Sequence, residues 1–193
     1  MTIKNTWRMS WLLILLLIQP VFAQNWQSAT DGRFIVETAS VADREELSAV
    51  FAILQEAKDD LYQNWQLDLP ETVTVRIHPD LASFQVATKK PWYVAAVADK
   101  PAATLHTQRL RVLLERDSLE KTLRHELFHL AQPDDWSRWR AEGTAMRFAG
   151  ETPNAEPFEQ ISETELNYLL ATASSKQELA RAVATAYKWV KRF

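Results

Sequence analysis

The sequence predicts an α+β fold: a mixed β-sheet with helices packed on it, followed by a helical C-terminal part. Three observations carry this. Residues 72–78 (TVTVRIH) alternate cleanly, with Val73, Val75 and Ile77 facing one way, the pattern of a half-buried strand. Leu119, Leu123, Leu127 and Leu130 recur at the spacing of one helix face. Strand-like and helix-like stretches also follow one another as strand, helix, strand, helix, three strands, helix, an order that yields a mixed sheet with helices on it.

Taken in order, residues 24–32 read as a loosely docked start with Asp31-Gly32 as a turn. Residues 33–37 form a short first strand. Asp43 can cap a long helix reaching Trp65, with Leu47, Phe51, Leu54, Leu61 and Trp65 on one face. Pro70 ends that connection and the 72–78 strand follows, finishing at His78, which reads as a surface or rim histidine. Residues 80–88 form a short helix, and Lys89-Lys90-Pro91 breaks it. Residues 92–97, 103–107 and 110–114 have strand composition, with a turn at 99–101. Asp117 or Ser118 can cap the helix that Pro133 stops. A second helix spans 136–148, with Trp139, Ala145, Met146 and Ala149 inward. A polar loop at 151–160 leads to a helix capped by Ser162 or Thr164. Ser175 with Glu178 forms a capping box for the last helix, whose stripe is Leu179, Val183, Tyr187 and Val190.

Composition narrows the function classes. Lys4 and Arg8 precede the unbroken apolar run 11–18 (WLLILLLI), too short to span a bilayer, and Val21-Phe22-Ala23 offers small residues for cleavage before Gln24. Residues 1–23 thus read as an export signal, or an N-terminal anchor if uncleaved, and 24–193 as a single exported domain, periplasmic or secreted. Without Lys4 and Arg8, two of the 22 basic residues, the net charge of −3 becomes −5. A mildly acidic domain with no basic run argues against nucleic acid as a partner. With no cysteine, neither disulfides nor cysteine-ligated zinc are available.

The chemistry concentrates at His125-Glu126-Leu127-Phe128-His129. Two histidines four residues apart share one helix face and can hold one Zn²⁺, while the glutamate between them can activate water. The leucine stripe lies roughly opposite, so one face packs and the other can look into a cleft. Such a site needs a third protein ligand. Glu142 lies among the inward residues of the next helix, three after Trp139 and four before Met146. A carboxylate there costs several kcal/mol unless something pairs with it. A metal ion would pair with it; so would Arg124, Arg138 or Arg147. Asp135 is a second candidate ligand, at the position where another zincin pattern places one, but that pattern needs a turn glycine where this chain has Gln132.

With His125–His129 and the segment Trp139-Arg-Ala-Glu142-Gly143-Thr-Ala145, the chain resembles the gluzincin metallopeptidases, in particular the small bacterial peptidase MA-like group with its Trp-x-x-Glu-Gly-x-Ala motif. The resemblance implies a zincin-like mixed sheet with the active-site helix beneath it, and an edge strand, 92–97 or 103–107, that pairs with an extended peptide or protein substrate. It implies His125, His129 and Glu142 as zinc ligands and Glu126 as general base and proton shuttle. Tyr187 is a candidate oxyanion donor, since zinc peptidases often use a downstream tyrosine so. Two other functions compete with an exported zinc peptidase. One is a zincin-like domain that binds zinc without catalysis. The other is a metal-free envelope-interaction protein in which Glu142 is an ion-pair partner.

Overall fold

The computed structural model describes residues 25–190; the proposed export segment lies outside them. The fold is α+β, a five-stranded mixed sheet with eight helices among the described residues. The elements are β1 (Gln27–Asp31), β2 (Phe34–Thr38), α1 (Val41–Arg44), α2 (Leu47–Trp65), β3 (Val73–Ile77), α3 (Leu81–Thr88), β4 (Ala96–Asp99), β5 (Thr104–Thr107), α4 (Leu110–Glu115), α5 (Leu119–Ala131), α6 (Arg138–Phe148), α7 (Glu163–Thr172) and α8 (Lys176–Val190). No helix among the described residues is long and apolar enough to cross a membrane.

The sheet order is β1-β2-β3-β5-β4. β2, β3 and β5 are parallel, and an antiparallel strand closes each edge. Register places Val36, Val75, Leu105 and Ala98 in one row across the sheet, and Glu37, Arg76, His106 and Val97 in the next. Because neighbouring residues point to opposite faces, the first row joins the core and the second lies on the other face, where Arg76 pairs with Glu37. The core face is covered by α2 and α5. Leu54, Leu61, Leu123, Leu127 and Phe128 are fully buried there, each large side chain contributing about 1.5–3 kcal/mol by leaving water. The leucine stripe of α5 therefore anchors that helix beneath the sheet and turns its opposite face outward.

Several sequence expectations are corrected. Residues 27–31 form β1, not a loose start; the strand is mostly exposed and held by its pairing with β2. Asp43 does not cap a long helix: it is buried inside α1, and the chain turns at Glu45-Glu46 before α2. Residues 110–114 are helical, because Leu110 and Leu113 are both buried one turn apart and Arg111 pairs with Glu115 at i+4. Neither proposed cap of α5 acts through its side chain; Asp117 takes a left-handed turn (φ 49°) and the Ser118 hydroxyl donates to Leu113 O. His78 is not at the rim. It is buried, stacked on His106 and edge-on to Trp26 and Phe84. Ser162 and Ser175 do cap α7 and α8, accepting from Glu165 N and Glu178 N.

Candidate metal centre

α5 presents His125 and His129 one turn apart on the face opposite its buried leucines. α6 returns across it, bringing Glu142 between them. Their Nε2 atoms lie 3.6 and 3.7 Å from Glu142 Oε2. One donor atom from each residue falls within 4.8 Å of the others, and the three could hold a metal ion. Bonds of about 2.0–2.1 Å to a tetrahedral ion place neighbouring donors about 3.4 Å apart, close to the two imidazole–carboxylate distances. None of the competing partners reaches Glu142: Arg124 bonds Asp60 and Phe148 O, Arg147 donates to Val190 O, and Arg138 makes no ion pair among the described residues.

The other ring nitrogens are also held. His125 Nδ1 donates to Glu151 Oε2 at 3.3 Å, and His129 Nδ1 to Gln132 Oε1 at 2.9 Å. A carboxylate or amide oxygen on Nδ1 fixes the proton there and leaves Nε2 to face the centre, the outer-shell arrangement that orients metal-binding histidines. Burial alone would lower the pKa of His125, but the hydrogen bonds its imidazolium donates to Glu142 and Glu151 outweigh it and hold the pKa well above the usual histidine value. His129 is raised for the same balance of reasons, burial opposed by Glu142. Burial would raise Glu142, yet the two histidines keep its pKa well below the ordinary carboxylate range. The cluster thus favours positive charge at its centre, on imidazole protons or on a cation that replaces them.

A sharp packing constraint seats Glu142. Its neighbour Gly143 lies against α8, where an added Cβ would sit 2.5 Å from Ala186 O. α8 therefore packs backbone to backbone on α6. From there Leu179 and Val183, with Leu170 of α7, form the apolar wall of a cavity of about 770 Å³. His125, Glu126, His129 and Glu142 line the same cavity, as do Ala96, Val97 and Ala98 of β4.

β4, not β5, is the sheet edge. Gln108 N donates to Ala95 O. By antiparallel alternation Val97 and Asp99 also bond to β5, while the backbone groups of Ala96 and Ala98 point away from it. Ala98 N–H donates to Glu126 Oε2 at 2.8 Å. The edge strand thus holds the carboxylate that directly follows His125.

Comparison with protein-family models and with curated proteins finds no match for this chain.

The structure brings His125, Glu126, His129 and Glu142 together around one cavity. Tyr187 is half-buried on α8 and is not among the cavity's lining residues, whereas Tyr93 is. Asp135 is exposed and outside the cluster; Gln132 adopts extended backbone (φ −60°, ψ 149°), so the glycine turn that would bring position 135 inward is not made. Sequence reasoning missed Glu151 and the amide role of Gln132. Glu151 stands on a loop where no spacing rule ties it to His125, but Gln132, one turn after His129, lies where a helix-end side chain can reach back.

Proposed function

We propose that this chain is an exported zinc-dependent peptidase, with His125, His129 and Glu142 as ligands and Glu126 as general base. One observation carries it: a carboxylate anchored to an open sheet edge stands beside a two-histidine, one-carboxylate cluster within a single cleft. The ligand set of two imidazoles and one carboxylate suits zinc, and with three protein donors one position stays open. Zinc in such a site supplies Lewis acidity, polarising a carbonyl and acidifying water.

The chain's own residues do the rest. The N–H and C=O of Ala96, a residue 4% exposed, and the C=O of Ala98 point away from β5, and both residues line the cleft, so an extended peptide that reaches this edge can add to β4 as a further strand. That would present a scissile carbonyl beside the cluster. Glu126 keeps Oε2 on Ala98 N–H, and its other oxygen, which has no hydrogen bond among the described residues, is free to take the proton of the attacking water. The same oxygen then delivers that proton to the leaving amine. Glu151 and Gln132 keep both imidazoles turned to the centre throughout.

The test is Glu126→Gln. Zinc content by mass spectrometry should stay at the parent level, while hydrolysis of a broad peptide library falls by at least about 100-fold, the general-base contribution. A zinc-loaded Glu126→Gln protein that cleaves peptides at the parent rate refutes the role. A zinc-loaded parent that cleaves no peptide favours a non-catalytic zinc-binding domain.

A further inference from the structure

The cleft's charges divide by position. Its carboxylates, Glu126, Glu142 and Glu151, all belong to the metal cluster or to its support. Every other charged residue lining it is basic: Lys90, Lys100 and Arg138. Lys100 is engaged by Asp134 and by Gln132 O. Lys90 and Arg138 make no ion pair among the described residues, although the whole chain carries a net charge of −3. In an acidic protein, unpartnered cations turned into one cavity are positioned for an anion from elsewhere.

Arg138 is the better placed of the two. It opens α6 four residues before Glu142, so the two share a helix face about 6 Å apart along the axis. That spacing favours an Arg–Glu pair, yet Glu142 is turned to the histidines, and Arg138, an exposed residue lining the cavity, pairs with no carboxylate among the described residues. Arginine's planar fork matches a carboxylate with two parallel hydrogen bonds. Resting on the peptidase reading, we propose that the cleft selects substrates bringing a carboxylate to Arg138, one turn from the metal centre. The apolar wall of Leu170, Leu179 and Val183 accommodates an uncharged side chain of the same peptide. The carboxylate can come from an Asp or Glu side chain or from the peptide's C-terminus.

The test uses the zinc-loaded chain and quenched-fluorescence peptides in matched pairs. One pair differs by Glu against Gln beside the cleaved bond, with an amidated C-terminus; the other differs only by free acid against amide. The parent should prefer the carboxylate member of one pair by about tenfold in kcat/KM, mostly through KM, as a charge-assisted bidentate contact at an exposed residue allows. The Glu/Gln pair responding identifies a side chain; the acid/amide pair responding identifies the C-terminus. Arg138→Gln should bring the ratio close to one, and Arg138→Lys, which keeps charge but not the fork, should leave it intermediate. Equal rates within both pairs for the parent, or a preference that survives Arg138→Gln, overturns the inference and leaves the peptidase reading standing. No cleavage of any peptide by the zinc-loaded parent overturns both.

Discussion

Gly143→Ala tests how the fold seats the centre. The new Cβ would lie 2.5 Å from Ala186 O, and 2.7 Å from both Ala186 C and Val190 Cγ2. Ordinary contact starts at 3.4 Å, so α8 must retreat by about 0.9 Å. Two of the three atoms are backbone, and no side-chain rotation relieves them. Overpacking costs about 1–3 kcal/mol, and a clash with backbone, which cannot rotate away, belongs at about 2–3 kcal/mol of that range, while alanine's better helix propensity returns about 1 kcal/mol. The net loss should be about 1–2 kcal/mol, which at about 2–4 °C per kcal/mol lowers Tm by about 2–8 °C for a domain of this size. The same shift moves Glu142, so zinc binding should weaken as well. Calorimetric melts with and without zinc read both effects. An unchanged or raised Tm, the response of a helical glycine with open space beside it, would refute the close α6–α8 packing.

Other outcomes follow from the outer groups. Glu151→Gln removes the charged partner of His125 Nδ1 and should weaken zinc binding by about 10- to 100-fold, measured by competition with a chelator; unchanged affinity would remove Glu151 from the site. His78 offers a pH test away from the centre. Burial, then the neighbouring His106 and Arg76, lowers its pKa to about 4 from 6.5. Between those values the unfolded chain binds the proton that the native one refuses, so stability rises with pH there and falls as pH drops from 6.5 towards 4. His78→Gln should flatten that dependence, worth up to about 3 kcal/mol, in denaturant melts at pH 4.5 and 7. An identical slope in the variant would contradict it.

Much of the architecture was legible because its signals are local. The alternation of Val73, Val75 and Ile77 and the leucine stripe of α5 are periodicities that tertiary packing had only to accept. Glu142 was legible because a carboxylate among inward-facing residues demands a partner. β1 was not: its QSATD sequence has no apolar face, and only pairing with β2 makes it a strand. The LRVLL stretch is apolar enough for either state, and burial of Leu110 with Leu113 decided for helix. His78 looked terminal along its strand, yet Phe84 of α3 and Trp26, just before β1, cover it. Glu151 depends on where a loop lies after α6, which no sequence period encodes.

The central claim is that His125, His129 and Glu142 hold zinc. Native mass spectrometry on residues 24–193, beside the Glu142→Ala protein and after both have been offered zinc, tests it most directly. One zinc per parent chain, with much weaker retention in the variant, is the predicted result. A parent that binds no zinc, or a variant that retains it undiminished, would contradict the site.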